Sequence, residues 1–182
     1  PFVAKYPHIP APVERLEVEA AFYRLIAGSD TLAMHTPRVL GEDLGLWRMA
    51  MVYLATAPRI PQLYYGTELL MTSPTHRDDA AARRDLPGGW RGDAASAFDG
   101  RGLDARQREA QDFLRKLLNW RRQATAVHRG RMLHYATDAG VYVYFRHDES
   151  QRYMVVLNKN ATASALDLSR YAEGVAGATV AT

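Results

Sequence analysis

The sequence has no cysteine among its 182 residues, which excludes disulfide bonds and metal sites built on thiolates. No apolar run comes near the ~20 residues that cross a bilayer. The formal net charge is only +3, with acids and bases mixed along the chain. We therefore expect a solvated surface, no nucleic-acid partner and no membrane partner. The apolar fraction of 47% is typical of a globular protein.

The motifs of several common chemistries are also missing. Gly100-Arg101-Gly102 is not followed by the further glycine of a phosphate-binding loop, and no Gly-x-Ser-x-Gly elbow occurs. The run from His76 to Asp79 has no metal-ligand spacing. The sequence therefore predicts no metal site and no cofactor.

Hydrophobic periodicity predicts a helical part followed by a β-rich part. Helices are predicted over 13–26, 42–57 and 105–123. From Gly130 the period changes to two, which predicts four strands, the last one weaker: 131–135, 141–146, 153–158 and 163–168.

A short apolar stretch, Pro61 to Gly66, lies between the second and third of these helices. Its aromatic and β-branched surroundings predict a buried strand, with Tyr64 and Tyr65 on opposite faces. A polar loop over 72–104 follows, and loops of this length are usually functional or disordered. Helix, strand, loop and helix is the order of a parallel α/β fold with its site at the strand C-termini.

Several of these motifs resemble one known family. The run from Pro61 to Glu68 closely resembles the eighth barrel strand of the α-amylase superfamily, glycoside hydrolase family 13. The run from Arg83 to Trp90 looks like a loop of its neopullulanase and cyclomaltodextrinase branch. The strands Val141 to Phe145 and Met154 to Asn158 resemble the C-terminal β domain of these amylases.

The resemblance implies an α/β plus all-β fold in two parts. Residues 1–126 would supply the last strands and helices of a (β/α)8 TIM barrel, and residues 127–182 a partial antiparallel β-sandwich. A whole barrel needs roughly 250 residues and a sandwich about seven strands, so we expect both parts to be truncated.

Catalysis by this chain alone is not expected. Met34-His35-Thr36-Pro37-Arg38 resembles the end of the seventh barrel strand, but the family's third catalytic Asp, between His and Thr, is missing. Retaining hydrolysis also needs two carboxylates about 5–5.5 Å apart, which the family places on the fourth and fifth strands, upstream of this chain. No catalytic residue is predicted.

The resemblance implies a set of substrate contacts around the barrel mouth: His35, Arg38, Tyr65, Arg84, Asp85 and Trp90. Alternatives stay open for some of them. His35 is also explained as a satisfied, partly buried histidine, and Arg38 as a structural ion-pair partner. Trp90 either stacks on the C–H faces of a sugar or anchors its loop on the barrel rim. Glu68 is expected to hold its loop rather than to catalyse.

Three interpretations of function follow. The chain is part of a glycoside hydrolase that cleaves α-1,4-glucosidic bonds in cyclodextrins, pullulan or maltodextrins, it is a non-catalytic carbohydrate-binding or interaction module, or it is the product of a broken gene. The partners would be an α-glucan or cyclodextrin, and either an upstream fragment that completes the barrel or a second copy in a homodimer. The bacterial cytoplasm and the periplasm both remain open.

Overall fold

A computed structural model describes residues 43–72 and 83–176. The described elements, in chain order, are helix α1 (Leu44–Thr56), a 3₁₀ helix (Thr67–Leu69), helices α2 (Ala105–Gln123) and α3 (Thr125–His128), strands β1 (Arg131–His134), β2 (Val141–His147) and β3 (Arg152–Asn158), a second 3₁₀ helix (Leu168–Tyr171) and helix α4 (Ala172–Val175). The helix predicted over 13–26 lies outside the described residues.

The two long helices confirm the periodicity of the sequence. The Asp43 side chain caps α1 by accepting a hydrogen bond from the Leu46 amide at 3.0 Å, and Pro58 prevents the helix from continuing. A capping box begins α2, in which the side chains of Asp104 and Gln107 each accept from the other's backbone N–H. Both helices therefore begin with their free amide groups partly satisfied.

Three of the four predicted strands are confirmed, and they form one antiparallel sheet in the order β1-β2-β3. The fourth, over 163–168, is wrong, because this segment has no strand and runs into the 3₁₀ helix that begins at Leu168. Side chains satisfy the local backbone instead: Asn158 Nδ2 donates to the Thr162 carbonyl at 3.1 Å. Such local hydrogen bonds compete with ladder formation.

The sheet is covered on both faces. One face packs on α1 and α2 in a core that includes Trp47, Leu114, Leu117, Tyr144, Val155 and Leu157. The other face packs on the C-terminal segment through Val141, Val143, Phe145 and Tyr171. Because successive strand residues point to opposite faces, β2 is buried from Val141 to Arg146.

Polar contacts join the helices to each other and to the sheet. The Thr56 hydroxyl, at the end of α1, lies 2.5 Å from the Tyr144 hydroxyl of β2, and both groups are buried. Arg121 Nε of α2 donates to the Ala55 carbonyl at 2.7 Å. The described helices and the sheet therefore share one interior.

The strand predicted over 61–66 is wrong within the described residues. Residues 61–64 have no regular secondary structure, and Tyr64 and Tyr65 are 53% and 41% exposed rather than buried. A strand needs a neighbour that shares its backbone hydrogen bonds, and the β1–β3 sheet is the only one in the described ranges. Tyr64 and Tyr65 do not face opposite sides either, since their ring centroids are 4.5 Å apart where the chain turns at Gly66 with φ 83°.

A two-residue turn after β1 offers a stabilising substitution. Ala139 and Gly140 both have positive φ, 45° and 76°, between the bridged residues Asp138 and Val141. This is the geometry of a type I′ turn, which prefers Asn-Gly. We expect Ala139→Asn to raise the free energy of unfolding by about 0.5–1 kcal/mol, because alanine in the left-handed region costs about that much or more.

Urea denaturation at equilibrium measures the effect. Ala136→Asn is the matched control, since Ala136 is exposed and has no positive φ; it should change stability by less than about 0.5 kcal/mol. Equal effects of the two substitutions would contradict the role given to the turn.

Candidate functional site

The loop before α2 is an ordered structure over its described residues 83–104. Ser96 lies at its centre: its hydroxyl accepts from the Phe98 amide at 3.2 Å, and its own amide donates to the Arg101 carbonyl at 2.7 Å. Arg101 Nη1 donates to the Asp93 carbonyl at 2.8 Å. Gln111 of α2 donates to the Ala97 carbonyl at 2.7 Å. The loop is therefore tied internally and to the helix that follows it.

One glycine of this loop is required by packing. Gly88 has φ 92°, and a Cβ there would lie 2.8 Å from the Ser96 Cα. Its amide donates to Asp93 Oδ2 at 2.8 Å, and the Trp90 amide donates to the same oxygen at 3.1 Å. Asp93 thus closes the turn that presents Trp90.

Trp90 is exposed, and a hydrogen bond holds one edge of its indole. The residue is 67% exposed, and its indole Nε1 donates to Asp85 Oδ2 at 3.1 Å. The hydrogen bond fixes one edge of the ring and leaves its faces to solvent. An immobilised aromatic surface loses little conformational entropy when a ligand stacks on it.

Tyr65 connects this loop to the segment after α1. Its hydroxyl donates to the Arg84 carbonyl at 2.9 Å, and Arg84 Nη2 donates to the Thr72 carbonyl at 2.6 Å. Tyr65 is 41% exposed. Its pKa is raised above the ordinary value, first by hydrogen bonding with Tyr64 and then by desolvation. The phenol therefore stays protonated and is a hydrogen-bond donor at neutral pH.

Four of the six predicted substrate contacts form a continuous assembly, which we name the aromatic rim: Tyr65, Arg84, Asp85 and Trp90. The Tyr65 hydroxyl donates to the backbone carbonyl of Arg84, and the side chain of the next residue, Asp85, accepts from the Trp90 indole. The predicted contacts His35 and Arg38 lie outside the described residues, as does the run from His76 to Asp79. Sugar binding by the six residues stays a prediction.

The acids of the loop act as local acceptors in this structure. Asp85 and Asp93 accept the hydrogen bonds given above, and Asp99 Oδ1 accepts from the Arg101 amide at 2.8 Å. This backbone hydrogen bond is the first cause that lowers the pKa of Asp99. Within residues 43–72 and 83–176, no group of three or more histidines and acids is arranged to hold a metal ion.

Phe98 is a further exposed aromatic residue on this loop, outside the aromatic rim, which the sequence interpretation did not single out. This side chain is 76% exposed on the loop of Trp90, and its amide is fixed by Ser96. The signal was the pair Ser96 and Asp99, two residues that cap turns, on either side of an aromatic.

None of the helices in the described part of the chain is both long and apolar enough to cross a membrane.

Among the comparisons with known proteins, a family model matches the C-terminal part of the chain. Residues 132–182 match the family model described as the cyclo-malto-dextrinase C-terminal domain. Two crystal structures of a debranching enzyme from Nostoc punctiforme are similar at low identity. The acarbose-soaked one shares 17% identity with TM-score 0.47, over 67% of this chain and 21% of that chain. The other shares 18% with TM-score 0.49, over 68% and 22%. The chain thus spans about a fifth of the length of these enzymes.

Proposed function

We propose, from the confirmed relation of residues 132–182 to the cyclo-malto-dextrinase C-terminal domain, that this chain is the C-terminal portion of a glycoside hydrolase of the α-amylase superfamily. The substrates proposed are α-1,4-linked glucans, namely cyclodextrins, pullulan or maltodextrins. The reaction proposed for the complete enzyme is hydrolysis of the α-1,4-glucosidic bond. In this proposal residues 1–126 carry the last part of the barrel and residues 127–182 the β domain.

The geometry of Trp90 carries the binding part of the proposal. Glucose units have apolar C–H faces and a rim of hydroxyl groups, so an indole face with polar groups beside it fits them. Asp85 holds the indole from its edge and leaves the stacking face open.

Polar groups beside the indole suit the hydroxyl rim of the same ligand. The Tyr65 hydroxyl and the Arg84 guanidinium are both placed by hydrogen bonds to backbone carbonyls. Each has further hydrogen-bonding capacity beyond these contacts. A saccharide seated on Trp90 would find an acceptor in the Tyr65 oxygen, whose own O–H donates to the Arg84 carbonyl, and donors in the remaining N–H groups of Arg84.

The two carboxylates of the hydrolytic reaction would come from a portion of barrel outside this chain. Tyr64 is 53% exposed in the segment that resembles the eighth barrel strand, and Ile60, directly before that segment, is 94% exposed. Apolar surface of this kind favours contact with another protein surface. We propose an upstream fragment that completes the barrel as the partner, with a homodimer as the alternative.

A second candidate function is carbohydrate binding without catalysis. It is favoured by the sequence Met34-His35-Thr36, which lacks the family's third catalytic Asp. In both candidates Trp90 contacts the glucan, and they differ only in turnover. Reducing-sugar release from β-cyclodextrin and maltoheptaose separates them, when measured with the full chain alone and with a separately produced upstream barrel fragment. Turnover by the chain alone would contradict both.

Replacing Trp90 with alanine should weaken maltoheptaose binding about tenfold or more, because the stacking surface is lost; tenfold corresponds to about 1.4 kcal/mol. Titration calorimetry with the full chain measures the dissociation constant. Phe98→Ala is the matched control, since it removes another exposed aromatic from the same loop and leaves the indole in place.

The expected result is a large loss for Trp90→Ala and less than a twofold change for Phe98→Ala. Asp85→Asn keeps an acceptor for the indole N–H and should bind within about threefold of the unmodified chain. Equal binding by the Trp90 variant and the unmodified chain would remove the aromatic rim as the glucan site.

A further inference from the structure

A second site lies away from the aromatic rim. A cavity of about 700 Å³ opens between the end of α3 and the turn that joins β2 to β3. Its lining includes the basic residues Arg129, Arg131 and His147 and the acids Asp148 and Glu149. Neither the glucan proposal nor the sequence motifs give this cavity a role.

Two of the lining residues, Arg131 and His147, belong to a row of basic residues that crosses the sheet. Arg131 of β1 lies opposite His147 of β2, and His147 lies opposite Arg152 of β3. Side chains directly opposite in an antiparallel pair share one face, and like charges there repel. The pKa of His147 is lowered, first by desolvation and then by Arg152 and Arg131. The imidazole is therefore neutral at pH 7 and keeps one N–H donor.

The arginines of this row differ in their partners. Arg152 Nη1 donates to the carbonyls of Gly174 and Ala176 at 3.2 and 2.5 Å, so it is used in holding the C-terminal segment. The side chains of Arg129 and Arg131 make no hydrogen bond or ion pair with any residue in 43–72 or 83–176. Both line the cavity with their donors unused.

The two acids do not neutralise these arginines. Asp148 accepts from the Thr125 hydroxyl at 2.5 Å, and from the amides of Ser150 and Gln151 at 2.8 and 2.6 Å. These hydrogen bonds lower the pKa of Asp148 to about 2, and the one from Thr125 has the largest effect. Its charge is thus stabilised by the turn itself. Glu149 is exposed and forms no ion pair among the described residues.

We propose that this cavity binds a phosphate group, held by the guanidinium groups of Arg129 and Arg131 with a hydrogen bond from His147. A planar guanidinium presents paired donors that match phosphate oxygens. The anion satisfies guanidinium donors of Arg129 and Arg131 that are otherwise unused. The ligand is inorganic phosphate or a small phosphate monoester, which share this chemistry.

Titration calorimetry of the full chain with inorganic phosphate at pH 7.5, at an ionic strength held constant with NaCl, tests the proposal. Arg129→Ala and Arg131→Ala should each raise the dissociation constant at least tenfold. Arg122→Ala is the matched control, because it removes the same charge from the exposed end of α2, and it should change the constant by less than twofold.

A second readout follows His147 by NMR. A phosphate concentration that just saturates the unmodified chain should raise the pKa of its imidazole there, and the same concentration should raise it much less in Arg131→Ala. Glucose 6-phosphate in place of phosphate identifies the source, since tighter binding of the ester favours a monoester and equal binding favours the free anion. The proposal is overturned by no saturable binding, or by equal weakening in all three variants. Neither result bears on glucan binding at Trp90.

Discussion

Replacing Phe145 with alanine is expected to lower the free energy of unfolding by about 3–5 kcal/mol, the usual cost of removing a buried aromatic ring. Phe145 is 1% exposed and makes an edge contact with Tyr135, at 6.4 Å between ring centroids. On the other side it packs on Gly174 so closely that a Cβ there would overlap its ring. The ring thus fills the space between β2 and the C-terminal segment.

Urea denaturation of the full chain, followed by circular dichroism, measures this loss. In a thermal melt, the melting temperature should fall by roughly 10 °C, because each kcal/mol lost lowers it by about 2–4 °C for a chain of this size. Phe98→Ala is the surface control, since Phe98 is 76% exposed and its loss should cost less than about 0.5 kcal/mol. A loss below about 1 kcal/mol for Phe145→Ala would mean that the C-terminal segment does not pack on the sheet.

The C-terminal sheet could be predicted because each strand carries its own signal. Alternation along 141–146 and 153–158 and the turn residues between them predict β2 and β3 to within one residue. The long helices were predictable for the same reason, since Asp43 and Asp104 mark their starts and their apolar faces are continuous. Local pattern and tertiary packing agree in these elements.

The segment 61–66 shows where a local pattern is not enough. Its apolar and aromatic residues have the composition of a buried strand, but a strand is defined by neighbours that accept its hydrogen bonds. Within 43–72 and 83–176 no strand lies beside it, and Gly66 turns the chain. Whether such a segment becomes a strand depends on residues distant in sequence or on a partner, which a period of two does not encode.

The candidate site was predictable in its residue types and not in its contacts. The sequence brings Arg84, Asp85 and Trp90 close together, but the Asp85–indole hydrogen bond depends on backbone turns at Gly88 and Asp93. The phosphate-binding cavity had no linear motif, because Arg131 and His147 meet only through strand register. Register depends on the whole sheet and its turns.

Replacing Arg146 with methionine is expected to raise the free energy of unfolding by about 1–3 kcal/mol, because a buried charge without a counter-ion costs more than an apolar side chain of similar length. Arg146 is 2% exposed, and Nη2 donates to the Val127 carbonyl at 2.8 Å. Its Nε and Nη1 are buried with no acceptor in the described ranges. Burial is the first cause that lowers the pKa of this guanidinium, and Arg121 lowers it further.

Methionine fits the position, since the cross-strand neighbours of Arg146 are Met132 and Tyr153. Arg146→Lys is the matched control: it keeps the charge and shortens the reach to the Val127 carbonyl, so it should destabilise the chain by about 1 kcal/mol or more. The urea concentrations at the unfolding midpoints of the two variants compare their stabilities when the dependence of the unfolding free energy on urea is the same for both. A less stable methionine variant would contradict the prediction and would mean that losing the hydrogen bond from Nη2 to the Val127 carbonyl costs more than burying the guanidinium.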